Sequence, residues 1–162
     1  MSVDIRAATP DDAADVLSLV TALAVYENEA DKVKMTVAGA RDALAAGHLN
    51  ALLGFADGKA QAMALYFFNF SSWTGKRGLF LEDLFVAPEL RKQGVGLDLL
   101  TRLARMAVTQ GCGRMEWNVL DWNNSAKGFY EMLGARHAVG WEIWRLEGDA
   151  LARLGSGPDS GA

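Results

Sequence analysis

Hydrophobic and polar positions along this chain alternate between two periods. Val3-Asp4-Ile5-Arg6-Ala7-Ala8 has the alternation of a first strand. Thr9-Pro10-Asp11-Asp12 then offers a capping residue and a proline in a first helical turn. Ala13, Val16, Leu17, Val20 and Leu23 recur at helical spacing, which predicts a helix running to about Glu27. Residues 36–46 read as a second helix stopped by Gly47. Residues 49–56 and 60–70 read as strands joined by an Asp57-Gly58 hairpin turn, and residues 77–86 complete an antiparallel meander after a loop at 71–76. Residues 94–110 predict a helix whose apolar face carries Leu99, Leu100, Leu103, Ala104 and Ala107. A strand at 115–120, a helix at 124–133 ended by Gly134, and a last strand at 141–146 follow. This order predicts a mixed α/β protein, antiparallel early with crossover helices late, and too irregular for a doubly wound sheet.

Composition narrows the picture. A length of 162 residues predicts one domain with a substantial core, taken as residues 1–150, followed by a flexible tail at 151–162 that is small and polar from Gly155 onward. Hydrophobic residues make up 51% of the chain, yet no apolar run is long enough for a membrane span, and the first residues lack the pattern of a secretory signal. One cysteine, Cys112, excludes an internal disulfide and is consistent with a cytoplasmic protein. It reads as a structural residue rather than a nucleophile. With only His48 and His137 beside it, no metal cluster is expected. The net charge of −4 and pI near 5.1 argue against nucleic-acid binding and are compatible with a cationic substrate.

Chemistry concentrates between residues 79 and 97. Leu81-Glu82-Asp83-Leu84-Phe85-Val86 is an apolar strand that carries two carboxylates, followed by Ala87-Pro88 as a stop. Arg91-Lys92-Gln93-Gly94-Val95-Gly96-Leu97 is a basic, glycine-bearing turn opening a helix. A helix start presents N–H groups without internal partners, and its dipole favours an anion. The turn lacks the Lys-Ser/Thr of a nucleoside-triphosphate loop, and Leu99 stands where a dinucleotide fingerprint needs its third glycine. A phosphate group held beside acids is the reading that survives.

In this context the chain resembles the GNAT superfamily of acetyl-coenzyme A-dependent N-acetyltransferases, and within it the spermidine/spermine-type diamine acetyltransferases. The likeness rests on Ala24-Val25-Tyr26-Glu27, Trp73-Thr74-Gly75-Lys76, the 81–86 strand, Val119-Leu120-Asp121-Trp122-Asn123, Phe129-Tyr130-Glu131 with Leu133-Gly134-Ala135, and Gly140-Trp141. It implies a GNAT-like acyl-CoA N-acyltransferase fold, with a mixed, mostly antiparallel sheet splayed between its fourth and fifth strands. It also implies a diphosphate held by the amides of Gln93, Gly94, Val95, Gly96 and Leu97 beside Arg91 and Lys92, and pantetheine along Leu84, Phe85 and Val86. Asn123, with Ser125 and Ala126, is implied to contact the same cofactor. Tyr130 is implied to lie beside the thioester sulfur.

Read alone, Asn123 or Asn124 is a helix cap, and Phe129 and Tyr130 are core aromatics; it is the resemblance that implies cofactor roles for Asn123 and Tyr130. The chemistry nonetheless gives each group a use. Amine attack on a thioester expels a thiolate that the Tyr130 O–H can protonate, and a backbone N–H near Leu84 can stabilise the oxyanion. Glu82 is the preferred proton acceptor, directly or through water, with Asp83 on the other side of a regular strand. Either carboxylate could instead be solvated, and both Glu82 and Asp83 could bind a cationic substrate through water. Tyr26, Glu27, Asp31 and Trp73 match loosely the region that closes over the amine, although Lys32 weakens the acidic field there. The expectation is acetyl transfer from acetyl-CoA to a primary amine of a small diamine or polyamine, by direct attack in a ternary complex, without a metal. The resemblance alone implies a homodimer. Alternatives are an amino-acid side-chain amine of the thialysine type, a protein N-terminus, or a coenzyme A-binding module without turnover.

Overall fold

The computed structural model describes residues 3–157. They form two compact units that divide between Asn118 and Val119.

The first unit runs β1 (Asp4–Ala7), α1 (Ala13–Tyr26), α2 (Val37–Ala46), β2 (Asn50–Ala56), β3 (Lys59–Ser71), β4 (Lys76–Val86), α3 (Val95–Thr109) and β5 (Arg114–Trp117). The sheet order is β1-β2-β3-β4-β5, antiparallel up to β4, with β5 parallel to β4. Short loops join β2 to β3 and β3 to β4, whereas α1 and α2 lie between β1 and β2, and the parallel step needs the α3 crossover. The mixed, mostly antiparallel sheet predicted by the pattern is therefore present. The ladder between β4 and β5 runs from Gly78↔Arg114 to Leu81↔Trp117 and stops there, so Glu82 to Val86 continue past it. The sheet is therefore open beside β4 from Glu82 onward.

Two apolar layers hold this sheet. On one face Val16 and Leu19 of α1 pack with Ala51, Leu53, Met63, Leu65, Phe85 and Ala87. Leu53, Met63 and Leu65 are sealed from solvent, and each such side chain contributes about 2 kcal/mol by burial. On the other face α3 buries Val95, Leu99, Leu100, Leu103 and Ala107. Arg102 from α3 donates to the Ile5 carbonyl at 3.2 Å and ties that helix to β1.

Both ends of α1 are fixed by local chemistry. At its start the Asp12 carboxylate accepts from the Thr9 N–H at 2.7 Å and forms a two-pronged pair with Arg6 at 2.7 and 2.8 Å. At its finish Asn28 takes a left-handed φ of 59°. This lets the Glu29 N–H reach the Ala24 carbonyl at 2.8 Å and the Asn28 N–H reach Val25 at 3.2 Å. That paired closure satisfies carbonyls the helix leaves open, and it fixes where Tyr26 and Glu27 emerge.

A β-bulge changes the reading of β4. Leu81 pairs with Tyr66, but Asp83 pairs with Leu65, so Glu82 is the extra residue. In a regular strand residues 79, 81, 83 and 85 share a face. Here Leu79 and Leu81 share a face with Phe68 and Tyr66, whereas Asp83 and Phe85 stand opposite Leu65 and Met63, on the α1 side. The expectation of a regular strand at Glu82-Asp83 is corrected: the bulge turns Asp83 toward α1.

The second unit contains α4 (Asn124–Met132) and α5 (Gly148–Gly155). Two expectations are corrected here. Residues 141–146, predicted as a strand, have no regular secondary structure, because alternation supplies no hydrogen-bonding neighbour. Residues 151–155, assigned to a tail, belong to α5, where Ala150, Leu151 and Leu154 follow helical spacing. Residues 158–162 of the expected tail lie outside the described residues. The strand predicted at 115–120 is shorter, ending at Trp117.

Candidate active site

The glycine turn is built by what stops β4. Pro88 cannot extend the ladder, a single 3-10 turn over Pro88–Leu90 follows, and Leu90 anchors it in the core at 1% exposure. The backbone then passes through left-handed values at Lys92 (φ 62°) and Gly94 (φ 82°) before α3 begins. Gly94 is the N-cap of α3, and its carbonyl accepts the first helical hydrogen bond from Asp98 at 2.9 Å. The amides of Val95, Gly96 and Leu97 precede that bond and are the donors a helix leaves unused at its start.

Gly94 needs its positive φ, but a Cβ there would meet no atom within 4 Å. At Gly96 a Cβ would meet only Val86 Cγ2, at an ordinary 3.8 Å. Neither glycine is demanded by packing within the chain, so the space above the turn is open to another group. A cavity of about 160 Å³ lies alongside, lined by Val3, Ile5, Gln93, Gly94, Val95 and Asp98. Asp98, the acid in the first turn of α3, is engaged by Arg102 at 3.1 Å, which offsets its charge near the donors. These features fit a diphosphate, with Gln93 oriented by its own bond to the Glu89 carbonyl at 2.7 Å.

Arg91 and Lys92 flank the turn and are exposed. The Arg91 side chain is tied down: its Nε donates to the Val86 carbonyl at 2.9 Å. Its guanidinium lies 4.8 Å from the Tyr26 ring centroid and 6.0 Å from that of Phe85. The last residue of α1 is thus joined to the turn after β4.

Three carboxyls meet nearby. Asp83 is half-buried on the α1 side of the sheet, and burial, with Glu82 and then Glu27 as like charges, pushes it up to about 6. Glu27, just past the end of α1, is also pushed up, by burial and then by Glu29. Glu82 is exposed on the bulge. An acid that titrates close to neutrality is matched to taking a proton from an ammonium group. Lys32 pairs with Glu29 in the following segment, so its charge is partly spent there. Leu84 to Val86 lie on the part of β4 that passes beyond β5.

Trp73 is placed apart from this cluster. It sits in the β3–β4 loop at 86% exposure. Seven residues of strand, about 23 Å, separate Lys76 at the base of that loop from Asp83. Within one chain the structure does not bring Trp73 to Tyr26, Glu27, Glu82 and Asp83.

The remaining candidates belong to the second unit. Asn123 caps α4, its Oδ1 accepting from the Ala126 N–H at 3.2 Å, so the capping alternative is realised. Ser125 and Ala126 lie in the first turn of α4. Tyr130 is half-buried, which pushes its phenol upward, and its ring is 5.6 Å from that of Phe129. Among the described residues no three His, Cys, Asp or Glu side chains gather into a metal-binding group, and no helix is long and apolar enough to cross a membrane.

Sequence reasoning missed the bulge and the Arg91–Tyr26 contact. Nothing in the sequence signalled either, because both depend on tertiary pairing.

Comparisons with known proteins agree with this geometry. Residues 19–135 match the model of the Acetyltransferase (GNAT) family. The chain is 37% identical to thialysine N-epsilon-acetyltransferase of Sus scrofa, over 94% of this chain and 97% of that protein. It is 32% identical to the spermidine/spermine N(1)-acetyltransferase-like protein 1 of Homo sapiens, over 91% of this chain but 23% of that protein. A solved aminoglycoside N-acetyltransferase in complex with CoA shares the fold at a TM-score of 0.70 and 23% identity, covering 89% of this chain and 94% of that one. The chain belongs to the GNAT family and is an acetyl-CoA-dependent N-acetyltransferase.

Proposed function

We propose that the acceptor is the side-chain amine of a small cationic amino acid, of the thialysine or ornithine type. This departs from the diamine or polyamine that the motifs alone favour. What supports it is the modest acidity around Glu27: Asp83 and Glu82 face a single helix end, and Lys32 opposes Glu29. One short cation needs such a field; a long polycation needs more. Two relatives point the same way: the thialysine acetyltransferase named above, and an L-ornithine N5-acetyltransferase of Arabidopsis thaliana that is 46% identical over 56% of this chain and 40% of that protein.

Acetyl-CoA supplies the activated acetyl group as a thioester. In the proposed reaction Asp83 accepts one proton from the substrate ammonium, and the freed amine forms the new C–N bond as the C–S bond breaks. Glu82 and Glu27 hold the cation during this step, with water from the exposed side of Glu82 as a relay. Tyr130 returns the second amine proton to the departing sulfur, a role assigned on resemblance and chemistry. The amides of 93–97 with Lys92 hold the diphosphate. Leu84, Phe85 and Val86 offer main-chain groups to the pantetheine, and Asn123, Ser125 and Ala126 are assigned to the same arm.

We also propose that the chain works as a homodimer, in support of which Val139, Trp141, Ile143 and Trp144 of the second unit are exposed apolar residues that a second copy would cover.

The observation that carries the reading is the acid cluster of Glu27, Glu82 and Asp83 on the same unit as the open glycine turn. A panel of amines tests it, with free thiol released from acetyl-CoA as the signal. Thialysine, lysine and ornithine should exceed putrescine, spermidine and an N-terminal peptide in kcat/KM by at least about tenfold, the scale of one lost charged contact. Preference for spermidine would overturn the acceptor assignment. No turnover with any amine would favour a binding module.

A further inference from the structure

The end of α1 and the glycine turn are far apart in sequence, yet Arg91 joins them. Its Nε is spent on the Val86 carbonyl at 2.9 Å, and its guanidinium carbon lies over the Tyr26 ring, 4.8 Å from the centroid. A guanidinium stacks through its face and donates through its edges, all in one plane. Stacking on Tyr26 is therefore compatible with edge donation to an anion beside Gly94 and Gly96. The aromatic face also restricts the rotamers of a long side chain that would otherwise be mobile on the surface. On the other side of the contact, Tyr26 is the last residue of α1, and Glu27, whose charge acts on Asp83, follows it directly.

We propose that the Arg91–Tyr26 stack is a positioning pair that couples the two substrates of the enzyme: holding the diphosphate fixes Tyr26 and Glu27, and holding the amine fixes Arg91. The inference rests on the acetyl-CoA reading of the glycine turn. It makes Tyr26, a residue of the acceptor helix, a contributor to donor affinity, and Arg91, a residue of the donor turn, a contributor to acceptor affinity. Linkage requires the two effects to be reciprocal.

The test is binding of CoA, measured by calorimetry, to the full chain and its variants, with folding checked by circular dichroism. Tyr26→Leu removes the aromatic face and should weaken CoA by about two- to fivefold, the scale of one exposed cation–π contact. Tyr26→Phe keeps the ring and should bind CoA like the unaltered protein. Arg91→Ala removes the cation, and adding Tyr26→Leu to it should cost nothing further in CoA affinity, because the pair is already broken. At saturating acetyl-CoA, Arg91→Ala should raise KM for the amine by a larger factor than it lowers kcat. CoA affinity that is equal in Tyr26→Leu and the unaltered protein, or two losses that multiply in the double variant, would overturn the coupling while leaving the acetyl-CoA reading intact. Failure of the unaltered protein to bind CoA would overturn both.

Discussion

Asp12 and Asp83 are both removed from bulk water in the first unit, and their surroundings push them in opposite directions. Asp12, at 8% exposure, accepts from Arg6 and Thr9, and the Arg6 guanidinium holds its carboxyl well below the usual range. Asp83 is half-buried, and that desolvation, with Glu82 and Glu27 as like charges, pushes it up to about 6. One carboxylate is fully paired and closes the start of a helix. The other titrates close to neutrality, as the proposed reaction asks of its proton acceptor. The same side chain is held ionised by an ion-pair partner in one place and pushed toward its neutral form by burial beside like charges in the other.

The largest expected effect comes from removing the reactive member. Asp83→Asn should lower kcat by about 100-fold, the scale of a lost general base, measured by thiol release. Because the raised value marks a native state that disfavours the charge, the same substitution should raise Tm at pH 7.5 by about 2–4 °C. Loss of both activity and stability would break the comparison, since it would make Asp83 a structural acid.

Removing the paired member should do the reverse. Asp12→Ala strands Arg6 and the Thr9 N–H, at a cost of about 2 kcal/mol, or a fall in Tm of about 4–8 °C. At temperatures where the variant stays folded its kcat should be unchanged.

The pH dependence of Tm sharpens the contrast further. Asp12, with its folded value lowered, contributes stability that is present above its unfolded value near 3.9 and is lost as pH falls below it. Asp83, with its folded value raised, adds no cost below about pH 4 and a growing one as pH rises through about 6. Asp12→Ala should therefore flatten the acid side of the Tm profile and Asp83→Asn the neutral side. The smallest effect is expected at the turn, where Gly94→Ala forces a side chain into φ 82° at a cost of about 1 kcal/mol.

Much of this was legible in the sequence, for identifiable reasons. The helical spacing of Ala13 and Val16, and of Leu99, Leu100 and Leu103, marks helix faces that pack on the sheet, whereas Leu19 and Ala24, also buried, fall outside the apolar set read from the spacing. The Asp57-Gly58 turn was readable because both residues tolerate the positive φ values of 51° and 73° that a two-residue hairpin needs. The glycine turn was readable because only a few residue types open a helix after a proline stop.

The bulge was not legible. It depends on which β4 residue pairs with Leu65, and a one-residue shift in pairing leaves no mark on composition. It changed the site most, by turning Asp83 toward α1 and leaving Glu82, the motif-favoured base, exposed. The Arg91–Tyr26 stack is likewise a product of the fold, joining residues that no local pattern connects. The predicted strand at 141–146 failed for the converse reason: alternation of Trp141, Ile143 and Arg145 describes a strand only when a neighbour pairs with it.

The pH profile of kcat/KM for the preferred amine, compared between the unaltered enzyme and Asp83→Asn, tests the assignment of Asp83 most directly. The account predicts a rise through about pH 6 in the unaltered enzyme, as Asp83 loses its proton and becomes able to accept another, and loss of that rise in the variant. A rise at the same pH in Asp83→Asn would contradict it and return the proton to a different group.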